Sequence, residues 1–572
     1  MEYSAIFHDM DKRFCYAIEK DLFVIRVQVK KDDMKEIILH YEDKYIPMER
    51  EDTRKTIVMK KVATSQFHDY YEAQVRMHLI CLRYFFEFTD MQGEKVYYGN
   101  YEFDKESITN RDRMFDCPQN LREEEMFEVP DWAANKVVYQ IFPSRFAASQ
   151  PVDKKLWYKA PITPMDDLHG DLRGIIDHLD HIQDLGIDVI YMTPSFKSDS
   201  CHKYDTIDYY EIDPSFGTKE DLKELVQKAH DRGMKVVMDA VFNHTGKEFF
   251  AFKDILEKGE KSKYLHWYYI DELPLKGEWG EIPNFLCFGY YGGMPKLNLK
   301  NPEVANYITD VACYWIRECD IDGWRLDVGD EISHFFWKRF RTAIKAVKKE
   351  MLIIGEIWHY AGDFLEGDEW DTVMNYPFYL NLIDLLADEK ISVSQFVQNL
   401  GYLKGRLHKK CYPLMWNLID SHDTARFLHL CKDNKKKQHL AAAFQLLLPG
   451  MPMIYYGDEY AMPGANDPDC RRGMYWDEEY QDKEMFEWYK RLLQVRKAHT
   501  CIVEGELAEA ITRDEDETIV LIRKNGEETI ALSFNCSNHT KEFKEYAQKQ
   551  DLLTEKVFDG KVEALDAAVI VL

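Results

Sequence analysis

The amino-acid sequence predicts an α/β protein: a (β/α)₈ barrel preceded by one β-sandwich and followed by another, with a subdomain inserted after the third barrel strand. Three observations predict it. Short apolar runs stop abruptly at polar groups, as Lys235-Val-Val-Met does at Asp239 and Met351-Leu-Ile-Ile-Gly355 does at Glu356. Such runs suit strands buried on both faces of a parallel sheet. Helical patterns alternate with them from residue 132 to 497, and both flanks of that region have the period-two pattern of antiparallel strands.

The first flank, residues 1–120, opens with Ile25, Val27 and Val29 alternating with Arg26, Gln28 and Lys30. Asp32-Asp33 is a turn signal, and Ile37 to Tyr41 is a second strand. Tyr84 to Phe88 and Val96 to Tyr98 continue the β character. Residues 121–131 read as an acidic linker without regular structure. In the barrel region, Leu414 to Ile419 is another apolar run, stopping at Asp420 with His422 and Asp423 just beyond. Asn301-Pro302-Glu303 starts a helix: Asn caps, Pro suits the first turn, and Glu favours its positive end. Val304, Tyr307, Ile308, Val311 and Trp315 follow at helical spacing. Residues 245–296 are irregular and form one wall of the cleft. After residue 498, Thr518–Arg523, Thr529–Phe534 and Ala568–Leu572 read as strands of the second sandwich, 498–572.

Barrel active sites lie at the C-terminal ends of the strands. The polar groups there are Asp239, Asn243 and His244, then Arg325 and Asp327, then Glu356 and Trp358, then His422 and Asp423. Arg325 and Asp327 are two apart, so on a strand they point the same way. Paired carboxylates cleave glycosidic bonds: one protonates the leaving oxygen while the other meets the positive charge at the anomeric carbon. Any one of these groups alone reads as a cap or an ordinary ion-pair partner. Their joint order carries the inference.

Composition excludes other classes. The net charge of −27 argues against nucleic acid and anionic membranes as partners. The abundant aromatics, 14% of residues, suit neutral sugars better than a basic groove would. The N-terminus lacks the apolar stretch of a signal peptide. The run from Leu440 to Tyr456 is broken by Pro449, Gly450 and Pro452, so it does not read as a membrane span. Twelve cysteines without a Cys-x-x-Cys pair read as reduced thiols of a cytoplasmic protein.

Further segments carry a resemblance. They are Tyr139-Gln-Ile-Phe-Pro-Ser-Arg145-Phe146, Gly186-Ile-Asp-Val-Ile-Tyr-Met-Thr-Pro194, His202-Lys-Tyr204-Asp205, Asp213-Pro-Ser-Phe-Gly217, Met294-Pro-Lys-Leu-Asn298, Tyr455-Tyr-Gly-Asp458-Glu459 and Asp467-Pro-Asp469-Cys-Arg471-Arg472. With the four strand-end segments they resemble the α-amylase family of glycoside hydrolases from about Trp132 to Lys497. Met294 to Asn298 is similar to its neopullulanase, cyclomaltodextrinase and maltogenic amylase subgroup.

The resemblance implies a retaining α-glucan hydrolase cleaving α-1,4 bonds in maltooligosaccharides, cyclodextrins and pullulan or starch fragments, with some transglycosylation. Asp327 would be the nucleophile, Glu356 the general acid and then base, and Asp423 the stabiliser of the distorted ring. Arg325 would keep Asp327 ionised, and Asp239 would hold Arg325. His244, His422 and His202 would bond sugar hydroxyls, and Tyr204 would stack on the ring. Trp358 and Phe288 read equally as leaving-side platforms or as core. Asp467 and Arg471 would serve the distal glycone side. The 4-α-glucanotransferases share the covalent intermediate and are the near alternative. A non-catalytic sugar-binding protein is the alternative of another class, and the intact Asp327, Glu356 and Asp423 speak against it. The N-terminal sandwich implies a homodimer built through that domain.

Two departures stand out. Many relatives bind calcium in the loop after the first strand. Here residues 147–153 keep only Asp153 as a carboxylate, with Asp171 nearby, against the 6–8 oxygens calcium wants. No calcium or other metal is expected there, and Asn243 is expected to hydrogen-bond beside His244. After Asp327 the subgroup's Val-Ala-Asn-Glu is replaced by Val328-Gly329-Asp330-Glu331. Asp330 adds a charge on the leaving-group side, and Gly329 is expected to loosen the backbone.

Overall fold

Eight parallel strands close into a barrel in chain order: Val138–Ile141, Val189–Met192, Lys235–Ala240, Gly323–Leu326, Leu352–Gly355, Thr372–Val373, Trp416–Asn417 and Met451–Tyr455. A bridge between Met374 and Trp416 joins the sixth strand to the seventh. The computed structural model describes residues 1–47, 54–77, 81–100, 102–117, 126–278 and 280–572; the first part of the expected linker, 121–125, lies outside the described residues.

The strands are apolar on both faces because each face meets a different core. Val189 and Tyr191 point into the barrel with Val138, Val237, Ile354 and Trp416. Ile190 and Met192 point outward to the helices, with Trp315 and Phe340. The helix expected after Asn301 spans Pro302–Cys319, and the Asn301 side chain accepts from Glu303 N–H. The seventh strand is shorter than its apolar run, because Tyr412–Leu414 forms a 3₁₀ turn. The stretch 245–296 is less irregular than expected: it contains the helix Phe250–Lys258 and is pinned back by bridges from His244 to Lys296 and Cys287 to Pro295.

The N-terminal sandwich has a four-stranded sheet, including Leu22–Lys30 and His68–Arg76, facing a second sheet built on Met34–Asp43 and Leu82–Asp90. Ile25, Val27 and Val29 enter its core, as the period predicts. Arg26, on the other face, does not reach solvent. It is buried, pairs with Glu72 through Nε at 2.8 Å, and donates through Nη1 to the carbonyls of Gly405 (3.0 Å) and Leu407 (2.9 Å). Those carbonyls belong to the barrel, so this face is a domain contact. The barrel helix Val393–Arg406 meets it through Gly401 and Gly405. A Cβ on Gly401 would lie 2.0 Å from Thr64 O, and one on Gly405 would lie 2.4 Å from the Tyr70 ring. Glycine inside a helix costs about 1 kcal/mol each, and here it permits the approach of two domains.

The C-terminal region is an unequal sandwich. One six-stranded sheet carries Glu506–Arg513, Thr518–Asn525, Glu528–Asn535 and Asp566–Val571, while its second layer is a two-stranded ribbon, Lys541–Glu542 with Lys561–Val562. The other face of the sheet packs on the barrel, where Phe534 stacks on Phe444 at 4.2 Å.

Candidate active site

Parallel register brings the charges together. Asp239 and Arg325 are direct partners on the third and fourth strands, and Leu326 pairs with Gly355 on the fifth. Asp327 and Glu356 therefore emerge side by side. A Cβ on Gly355 would meet the Trp370 ring at 2.1 Å, so that ring packs directly against the strand end that carries Glu356.

Arg325 is fully buried. Its Nη1 donates to Asp239 Oδ2 at 3.1 Å and to Asp327 Oδ1 at 3.0 Å. Its Nη2 lies 2.9 Å from Glu356 Oε1 and 3.8 Å from Asp423 Oδ2. That nitrogen is not aligned for a hydrogen bond, so its contacts are charge contacts. Four carboxyls thus share one guanidinium. Burial, with the neighbouring Glu356, pushes Asp327 well above the ordinary carboxylate range despite Arg325. Burial also raises Asp239 to about 6 and raises Asp423. Arg325, expected to keep Asp327 ionised, opposes its upward shift, and burial with the neighbouring carboxyls outweighs the Arg325 charge.

Glu356 is held from both sides. Its Oε2 accepts from the Val328 N–H at 2.9 Å, and Trp358 Nε1 stands 3.4 Å from Oε1. Val328 has φ 47° and ψ 44°, a left-handed conformation that β-branched residues avoid. That turn aims its N–H at the carboxylate. Trp337 Nε1 fixes the next carbonyl, Gly329 O, at 2.9 Å. Gly329 does not loosen the chain: it is buried, and a Cβ there would meet Trp370 at 2.8 Å. Its role is to admit the Trp370 ring. Asp330 lines the cleft, and burial raises its carboxyl.

The cleft above these groups has a volume of ≈ 410 Å³, within the range of small-ligand sites. His202, Tyr204, His244, Phe288, Asp327, Glu356, Trp358, Asp423, Asp467 and Arg471 all line it. Phe288 and Trp358 are 37% and 42% exposed, which decides against the core reading of both. Phe288 stacks on His244 at 5.2 Å and Trp358 on Tyr376 at 4.0 Å, so the rings are held as flat walls.

The histidines are neutral. Burial lowers His244 to about 3 and His422 well below the usual value. His202 Nδ1 stands 3.1 Å from Ser200 Oγ and from Tyr204 N. As an acceptor there, it leaves Nε2 to carry the proton. His422 does not line the cleft. It lies behind Tyr204, whose hydroxyl is 2.6 Å from its Nε2, and Gln140 Nε2 meets its Nδ1 at 2.6 Å. Arg471 joins Asp467 (2.8 Å) to Asp423 (3.4 Å). Asn243 bonds Lys296 and, at 3.2 Å, Glu331, so it ties the inserted segment to the turn after Asp327.

Several participants escape the strand-end pattern. Tyr191 donates to Asp239 Oδ2 at 2.6 Å, Arg325 Nε meets Met374 Sδ at 3.4 Å, and Met294 and Val328 line the cleft. Gln140 and Tyr191 lie within strands, where the inward side of the alternation is their only signal.

The alpha amylase catalytic domain family matches residues 140–481, and the alpha amylase N-terminal ig-like domain family matches residues 1–119. A cyclomaltodextrinase of Geobacillus thermopakistaniensis (strain MAS1) is 42% identical over 546 residues, covering 95% of this chain and 92% of that protein. An intracellular maltogenic amylase of Bacillus subtilis is 38% identical over 546 residues, covering 94% and 92%. A solved cyclomaltodextrinase structure superposes with a TM-score of 0.94 at 37% identity over 100% of both chains. With both family matches and full-length relatives of this similarity, the chain belongs to the alpha-amylase family and is a glycoside hydrolase of that family.

Proposed function

We propose that this protein is a retaining hydrolase of α-1,4-glucosidic bonds in cyclodextrins and short maltooligosaccharides, with some transfer to sugar acceptors. The gathering of Asp327, Glu356 and Asp423 around Arg325, beneath a cleft walled by Phe288 and Trp358, carries the reading. Asp327 attacks the anomeric carbon and the glycosidic C–O bond breaks. Glu356 delivers its proton to the leaving oxygen. Glu356 then takes a proton from water, whose oxygen displaces Asp327. Positive charge developing over Asp327 favours its ionised form. Asp423 and Arg471 bond sugar hydroxyls, and Tyr204 gives the ring a flat floor. Net release of reducing ends from maltotriose, with the α-anomer formed first, is the expected result by NMR. Initial β-anomer would refute retention, and disproportionation without net hydrolysis would make the protein a 4-α-glucanotransferase.

The carboxylates of the calcium-type loop are already committed. Asp171 accepts from Ser149 Oγ and Gly174 N–H, both at 2.6 Å, and Asp153 accepts from Lys155 N–H at 2.9 Å. Both act as helix caps, and such a donor set does not fit calcium. Activity and melting temperature are therefore expected to be unchanged by EDTA. A chelator-induced fall in either, restored by calcium, would overturn this.

A homodimer built through the N-terminal domain and a cytoplasmic location complete the proposal. For the location, the support is the word intracellular in one relative's name and the absence, among the described residues, of any helix long and apolar enough to cross a membrane. Deleting residues 1–120 is not a clean test of the dimer, because it would strip the Arg26 contacts from the barrel. Sedimentation of the full chain at micromolar concentration is expected to give twice the chain mass; a monomer would refute it.

A further inference from the structure

We propose that Cys201, next in the chain to the cleft-lining His202, is a reactive thiol whose oxidation closes the sugar site. The inference rests on the cleft being the active site. Arg145, in the short helix after the first barrel strand, is only 1% exposed. Its Nε and Nη1 have no hydrogen-bond partner among the described residues. Its Nη2 points at Cys201 Sγ, 3.7 Å away. A buried guanidinium with unmet donors favours an anion beside it, and a thiolate is the nucleophilic form of cysteine. Cys201 is half-buried, and its thiol donates to Pro164 O at 3.6 Å. At the other half-buried cysteines, Cys81, Cys287 and Cys536, burial pushes the thiol up.

The next residue, His202, lines the cleft. The loop is a single bonded unit: Ser200 Oγ reaches His202 Nδ1, and Ser198 and Ser200 both bond Asp205. A group added to Cys201 therefore displaces His202 and, through its bond to Tyr204 N, the floor of the sugar site. With hydrogen peroxide as oxidant, the thiolate sulfur attacks one peroxide oxygen. The S–O bond forms, the O–O bond breaks, and the departing hydroxide takes a proton to become water. Sulfur is oxidised to the sulfenic acid and peroxide is reduced.

The full-length protein is treated with iodoacetamide, with labelling read by peptide mass spectrometry and activity read on β-cyclodextrin. Cys201 is expected to label about tenfold faster than Cys81, Cys287 and Cys536. Activity should fall in step, and β-cyclodextrin should slow both. Peroxide should cause a loss that dithiothreitol reverses. Cys201→Ser, or Cys201→Ala if the serine variant fails to fold, should stay active and resist both reagents. Labelling no faster than at the other three would refute the reactive thiol. Fast labelling without loss of activity would refute closure of the site. A wild-type protein whose Cys201 labels fast and is protected by β-cyclodextrin, yet which never turns that sugar over, would instead refute the proposed activity.

Discussion

Asp327→Asn is expected to abolish turnover on β-cyclodextrin and maltotriose while the protein stays folded and binds both sugars. The amide cannot form the glycosyl ester, and losses for removed nucleophiles are on the order of 10⁴–10⁶-fold. Folding should survive, because Arg325 keeps contacts with Asp239, Glu356 and Asp423. Stability carries a second, signed expectation. Asp327 has a folded pKa raised above its unfolded value by burial and by Glu356. Its stabilising contribution is therefore present below the unfolded value of about 3.9 and is lost as pH rises toward the folded value. The amide escapes that loss. At pH 7 the variant should melt at the same temperature or higher, and the difference should shrink as pH falls toward 4. Residual turnover within tenfold of wild type would exclude Asp327 as the nucleophile, and a variant that melts lower at pH 7 would contradict the electrostatic account.

Glu356→Gln should lower kcat on maltotriose by about 10²–10⁴-fold, the usual worth of a general acid. The side chain also loses position. Its two oxygens stand against two N–H donors, Val328 and the Trp358 indole, with the Arg325 guanidinium in charge contact. An amide NH₂ faces a donor whichever way it turns. Leaving-group dependence separates the two losses. A 4-nitrophenyl maltoside needs no proton on its departing phenolate, so its glycosylation step should keep most of its rate. Misplacement would slow both substrates equally, and equal losses would remove Glu356 from the acid role.

Much of this protein is legible in its sequence. The third, fifth and seventh strands and the helix after Asn301 follow from apolar runs, capping residues and period, which are local. Asp327, Glu356 and Asp423 could be singled out because barrel chemistry sits at strand ends, where a polar group follows directly on an apolar run. Register then follows from closing the barrel, and the structure brings Asp327, Glu356 and Asp423 to one cleft.

What only the tertiary structure decided are contacts between elements far apart in the chain. Arg26 reads as a solvent-facing strand residue, yet it is buried because a barrel helix 379 residues away presents Gly405 O to it. Gly329 reads as a point that loosens the backbone, yet there, as at Gly401 and Gly405, a Cβ would strike a neighbour: Trp370, Thr64 and Tyr70 in turn. Val328 reads as an ordinary β-branched residue, but its left-handed turn supplies the N–H that holds Glu356. The direction in which Asp327 is shifted could not be read from Arg325 two residues away, because burial and three further carboxyls outweigh one charge. Period and capping act within a few residues, so the sequence by itself determined elements and strand ends; desolvation and steric fit depend on the whole neighbourhood, which exists only once the chain has folded.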